Sequence, residues 1–185
     1  MSVRLELSFS HSWTVKVLKE RPLIAPARQF VYPRQAEEVE RGALKLLIQP
    51  ADGAKFLATC AVGFADPSAS TGVWSCPHSD WLCAVSGGYA YLIHTLQPET
   101  WQMVPYRPVL GIRALPAQQL LLFIGHHSIL AWGREGQAWQ SERLSWEGVQ
   151  VTGIVDDALH GLGWDLMTDK DVPFALDLRT GKRIG

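Results

Sequence analysis

Pro173-Phe-Ala-Leu-Asp-Leu-Arg-Thr-Gly-Lys-Arg-Ile184 is the stretch on which the reading of the fold turns. It reads as a strand, a tight turn at Arg179-Thr180-Gly181, and a returning strand. The turn needs a residue able to take a left-handed backbone, and glycine does so without steric cost. The same figure stands upstream as Ile129-Leu-Ala-Trp-Gly-Arg-Glu-Gly-Gln-Ala-Trp139. It stands again, with Gln97-Pro98-Glu99 at the turn, as Tyr91-Leu-Ile-His-Thr-Leu-Gln-Pro-Glu-Thr-Trp101.

The copies are regularly spaced. Gly87-Gly88 lies between the apolar runs Trp81–Ser86 and Tyr89–His94, a two-residue turn of the kind that closes hairpins. Thirty-eight positions on, Gly125-His126 lies between Leu120–Ile124 and Ser128–Trp132, and the same offset carries Trp101 onto Trp139. Val109-Leu-Gly-Ile112 corresponds to Val151-Thr-Gly-Ile154, and Gly136 to Gly181, at offsets of 42 and 45. The units run over 72–104, 109–144 and 149–185, each read as four short strands in an antiparallel meander. Periods near 40 residues with four strands per unit are a signature of propeller blades.

Phe174-Ala-Leu-Asp-Leu-Arg-Thr-Gly-Lys-Arg resembles the aromatic-Ala-x-Asp-x-x-Thr-Gly-Lys element of β-propeller repeats of the quinoprotein type, and more loosely the blades of WD-repeat proteins. The resemblance covers residues 72–185, with the motif fullest in the last unit, and no unit ends a strand in Trp-Asp. It implies an all-β chain of repeated four-stranded meanders, a small or incomplete β-propeller of four or five blades. A β-sandwich built from the same meanders is the alternative. The repeat element is shared by propellers without a quinone, so no cofactor is expected.

Residues 1–71 are expected to pack on the repeat domain or complete it. Val3–Phe9 alternates apolar and polar positions, as a half-buried strand does. Trp13, Val15 and Val17 continue the period, predicting an N-terminal hairpin. Pro22, Pro26 and Pro33 make 21–33 a connection without regular structure, and 35–41 a short helical turn. Ala43–Ile48 and Lys55–Phe64 flank the turn residues Pro50-Ala-Asp-Gly53, predicting a second hairpin. Asp66–Gly72 marks the internal boundary.

Apolar residues are 47% of the 185-residue chain and charged residues 19%, a globular balance that argues against general disorder. A net charge of −1 implies no basic face broad enough to point to nucleic acid by charge alone, and none is expected as a partner. The N-terminus lacks the charged start and apolar run of a signal peptide. No window holds 18 uninterrupted apolar residues, so no membrane span is expected. Cys60, Cys76 and Cys83 are an odd set without framework spacing. Reduced thiols in a cytoplasmic protein are the expectation.

The candidate chemistry is sparse. His126-His127 have the residue type for proton transfer or metal binding, but the repeat places them in a turn facing water. Cys76, His78 and Cys83 offer three soft ligands where a structural zinc site wants four, and buried apolar cysteines are the plainer reading. Asp165, Asp169 and Asp171 form an acidic loop lacking the glycine and terminal glutamate of a calcium site. Asp177 is read as a turn-bonding residue. Most of the eight tryptophans, Trp101 and Trp139 included, are read as packing residues.

With no nucleophile elbow, phosphate loop or dinucleotide fingerprint, the chain is read first as a non-enzymatic binding or protein-interaction module. A hydrolase with a central site using His126, His127 or the Asp165–Asp171 loop is the alternative. A self-assembling structural protein is the other.

Overall fold

Alternating apolar positions and short Gly-containing turns dominate the chain, and all-β structure follows. In the computed structural model, which describes residues 3–34, 41–64 and 67–184, every regular element is a strand. No helix among the described residues is long and apolar enough to cross a membrane. The helical turn expected over 35–41 falls almost wholly outside the described residues. The chain divides into two compact units, Met1–Val109 and Leu110–Gly185.

The first unit holds two sheets. One is built from β2 (Trp13–Leu18), β3 (Arg28–Tyr32), β4 (Ala43–Pro50) and β5 (Phe56–Ala61), in the order β2-β4-β5-β3. The other contains β1 (Arg4–Glu6), β6 (Gly72–Ser75), β7 (Trp81–Ser86), β8 (Tyr89–His94) and β9 (Trp101–Met103), in the order β1-β6-β7-β8-β9. The period of two along β4 turns Leu44, Leu46 and Ile48 to one side, and along β5 it turns Phe56, Ala58 and Cys60 the same way. These side chains meet Val73, Leu82, Ala84, Tyr91 and Ile93 of the other sheet in one buried cluster. Each fully buried large side chain there stabilises the fold by about 1.5–3 kcal/mol.

The hairpin expected around Pro50–Gly53 forms, with Ile48 opposite Phe56. So does the one at Gly87-Gly88, whose φ angles of +55° and +78° are those of the hairpin turn that glycine favours. The expected N-terminal hairpin does not form. Instead β1 pairs in parallel with β6, and β2 pairs with β4. Residues 21–33 also differ from expectation, because Arg28–Tyr32 forms β3, parallel to β5. Pro26 and Pro33 flank this strand, so neither removes a ladder donor.

The second unit also stacks two sheets. One is the meander β10 (Gly111–Leu115), β11 (Leu120–Ile124), β12 (Ile129–Gly133), β13 (Gly136–Gln140). The other is β14 (Val149–Val155), β15 (Ala158–Asp165), β16 (Lys170–Asp177). Leu120, Leu122, Ile129, Ala131 and Trp139 of the first pack with Leu159, Phe174, Leu176 and Leu178 of the second. The fourth strand expected in the last meander is reduced to a single bridge, Leu176 with Arg183. Among the described residues the sheets are thus mostly antiparallel, with two parallel pairings, and neither unit by itself shows a closed barrel or ring.

The Thr-Gly turn has a full physical account. Asp177 Oδ1 accepts from the backbone N–H groups of Arg179 and Thr180 at 2.8 and 3.0 Å, and from the Thr180 hydroxyl at 3.3 Å. These bonds, the Arg179 N–H first, hold its carboxyl below the usual range against a smaller opposing effect of burial. Gly181 sits at φ +69°, and a β-carbon there would lie 2.4 Å from the Trp139 ring. Trp139 Nε1 donates to the Leu178 carbonyl at 2.7 Å. The ring therefore packs on the glycine and satisfies a buried carbonyl of the same turn.

Candidate functional site

β3 is an edge strand of its sheet, and β9 an edge strand of the sheet stacked on it. Between them lies a depression of about 290 Å³ lined by Gln29, Phe30, Val31, Tyr32, Arg34, Pro98 and Trp101. The depression follows the edge of β3 and meets residues of both its faces: Phe30 and Tyr32 turn toward the core, while Gln29 and Val31 turn the other way and stay exposed. Tyr32 packs edge-on against Trp101 at 5.3 Å between ring centroids, and Phe30 stacks along Tyr32 at 6.5 Å.

The Tyr32 hydroxyl donates to the Pro98 carbonyl at 2.8 Å, fixing the β8–β9 turn against β3. Burial pushes the phenol far above its ordinary range, so it stays a neutral donor. Arg28 lies over the Phe30 ring at 5.5 Å and reaches Glu99 at 3.7 Å across the rim. Both partners are solvated, so this ion pair adds little stability. The groove thus has an aromatic floor, an amide and a guanidinium at its rim, and neither a base nor a nucleophile among its lining residues. Its size suits one or two apolar side chains or a proline.

A second depression in the same unit, about 470 Å³, is lined by His11, Ser12, Trp13, Thr14, Gln49, Pro50 and Ala51. Several of its polar groups are already committed, although the buried Trp13 Nε1 has no hydrogen-bond partner among the described residues. His11 Nδ1–H donates to the Phe9 carbonyl, and the Ser12 hydroxyl donates to Asp80 Oδ1 at 2.6 Å. That bond does most to hold the Asp80 carboxyl below its usual range, opposed by burial and assisted by His78 and Ser79. A carboxylate so stabilised is a poor base, and it does not activate Ser12 as a nucleophile. Asp80 instead ties the two sheets together: its carboxylate takes Ser12, beside β2, while its carbonyl accepts from the Thr95 N–H and hydroxyl within its own sheet.

The sequence candidates lie elsewhere. His126 and His127 occupy the four-residue connection between β11 and β12, where Gly125 N–H donates to the Ser128 carbonyl. His127 is exposed and His126 partly buried. His127 Nδ1–H donates to the Ser145 carbonyl at 3.2 Å, and the Ser145 hydroxyl accepts from Trp164 N–H at 3.0 Å. Asp165 ends β15 and Asp169 lies in the β15–β16 turn, Asp165 accepting from the Thr168 N–H and hydroxyl, Asp169 from Trp164 Nε1 at 3.2 Å. Asp171 is exposed on β16. None of these five lines the depressions described above.

Cys76 and Cys83 are buried and His78 is half-buried, its Nδ1 accepting from Asp80 N–H at 3.3 Å. Burial pushes both thiols well above their ordinary range, against the thiolate that a metal requires. Among the described residues no three His, Cys, Asp or Glu side chains group as a metal site would need.

Of the groove residues, the sequence marks only Pro98, as part of a turn, and Trp101, as a packing residue. Tyr32 and Trp101 are far apart in the chain, and β3 is hidden among prolines. The available signal is the aromatic pair Phe30-x-Tyr32 on one face of a strand. Trp101 and Trp139, equivalent in the repeat, differ in use: Trp139 is buried, while Trp101 is half-buried and lines the groove.

No protein-family model matches this chain, and none of the curated proteins compared with it is similar to it.

Proposed function

We propose that this chain is a non-enzymatic binding module, assembled from blade-like β-meanders in the manner of a small or incomplete β-propeller, that takes a short extended peptide at the β3–β9 groove. The groove carries the reading. It joins an open sheet edge, where a peptide backbone can pair, to an aromatic floor for an apolar or proline side chain. Edge addition and aromatic-lined proline recognition are two recurrent ways of holding peptides. The meander order of β6–β9 and β10–β13 and the Thr-Gly turn after β16 support the blade reading. Three free thiols fit a reducing, cytoplasmic setting.

The test is selection of peptides from a displayed library on the folded protein, followed by thermal shift with the synthetic winners. A peptide at a hundredfold excess over its Kd stabilises by about 2.7 kcal/mol. The expected result is a raised Tm for the parent protein and for Met167→Asp, a change at an exposed position outside the groove lining, with no rise for Val31→Asp. Peptides that shift all three equally, or no shift with any peptide, would remove the groove as the binding surface.

A further inference from the structure

The segment leading into β3 is Lys19-Glu-Arg-Pro-Leu-Ile-Ala-Pro-Ala27. Leu23 and Ile24 are the two most exposed large apolar side chains among the described residues. Scattered exposed apolar residues are ordinary, but two adjacent ones held between prolines form a projecting knob. Pro22 and Pro26 restrict the backbone on either side, which lowers the entropy lost when the segment is captured. Its base is tied to the groove: Arg21 Nη2 donates to Oε1 of the groove-lining Gln29 at 2.7 Å. The loop nevertheless leaves its own groove unfilled, since both side chains stay in solvent.

We propose that the occupant of the groove is the Pro22–Pro26 loop of a second copy of this chain, exchanged reciprocally about a two-fold axis. Knob and hole stand side by side, the arrangement a two-fold interface requires, because the same patch must serve as donor and acceptor on both copies. A groove of about 290 Å³ has room for the Leu23 or Ile24 side chain. Charge does not choose the occupant, since Lys19 and Arg21 flank Glu20 at the start of the loop while Arg28, Arg34 and Glu99 stand at the groove rim; the exposed apolar pair beside an apolar groove does.

The interface is small beside the roughly 1,200 Å² of stable complexes, so the dimer is weak and dissociates on dilution. The proposal rests on the groove being a binding surface and adds which peptide fills it.

Analytical ultracentrifugation of the whole chain, up to about 0.3 mM to cover a weak Kd, tests it. The parent protein is expected to dimerise, and both Leu23→Asp/Ile24→Asp (loop) and Val31→Asp (groove) to raise the Kd at least about tenfold. Reciprocity gives a sharper result. Mixed in equal amounts, the two variants restore one intact loop-in-groove contact, so the mixed dimer is expected to form more tightly than either variant alone. A monomeric parent, a dimer weakened by only one of the variants, or no gain on mixing each overturns the exchange. If the parent is monomeric while selected peptides still raise its Tm but not that of Val31→Asp, the groove reading stands and the second-copy occupant falls. Failure of both experiments removes both.

Discussion

At the residue scale, the Thr-Gly turn and the Ser12–Asp80 tie carry the sharpest expectations. Gly181→Ala forces a β-carbon into a left-handed position and against the Trp139 ring at the same time. Backbone strain alone costs about 1–3 kcal/mol, and the clash also displaces the ring whose Nε1 satisfies the Leu178 carbonyl. Urea unfolding of this variant is expected to show a loss of about 3 kcal/mol or more; a loss under about 1 kcal/mol would mean that turn and ring relax freely. Asp80 makes a pH prediction. Its folded pKa is depressed, so its stabilisation is present above the unfolded value near 3.9 and is lost as pH falls through the lower folded value. The Tm gap between the parent protein and Asp80→Asn should therefore stay constant above about pH 5 and close below about pH 4. A gap that persists unchanged at lower pH would show that Ser12 bonds the neutral acid equally well.

At the element scale, the edge of β16 is guarded by its own sequence. Ile184 N–H donates to the Ala175 carbonyl, and Asp177 N–H to the Lys182 carbonyl. The odd-numbered residues of β16 thus aim their backbone groups away from β15. Pro173 belongs to that set and has no N–H to offer, and among the described residues no strand pairs with β16 there on its outer side. A proline on an open edge denies an incoming strand one donor. Pro173→Val is expected to leave the fold intact and to speed aggregation on mild heating several-fold, read by light scattering. Unchanged scattering would locate the vulnerable edge elsewhere.

The same elements show what the sequence could disclose. Hairpins at Pro50–Gly53, Gly87-Gly88 and Arg179–Gly181 were legible because turn chemistry is local. Asp177 was legible as a turn residue for the same reason. The parallel pairings of β1 with β6 and of β3 with β5 were not, because nothing near Arg4 or Arg28 encodes a partner so distant. The groove inherits that blindness: Phe30 and Tyr32 announce an aromatic strand face, but only long-range pairing brings Pro98 and Trp101 to it.

At the scale of the whole molecule, the three thiols report on one of its two units, Met1–Val109, which holds all of them. All are buried and free, and burial pushes each well above its ordinary range. The native protein is expected to resist Ellman's reagent, with all three thiols reacting only when this unit unfolds, so the slow native reaction measures opening of Met1–Val109. A fast native reaction at any one of them would show that its surroundings open easily.

The pairing of Arg4, Leu5 and Glu6 with Gly72, Val73 and Trp74 also bears on biosynthesis. A ribosome adds about 5–20 residues per second, so the first strand leaves the exit tunnel several seconds before its neighbour exists. Strands β10–β13 need no such wait, each lying beside the one made just before it. β1 therefore stays unpaired until β6 is made, and a nascent chain arrested short of Ser75 carries an orphan strand for chaperones to shield.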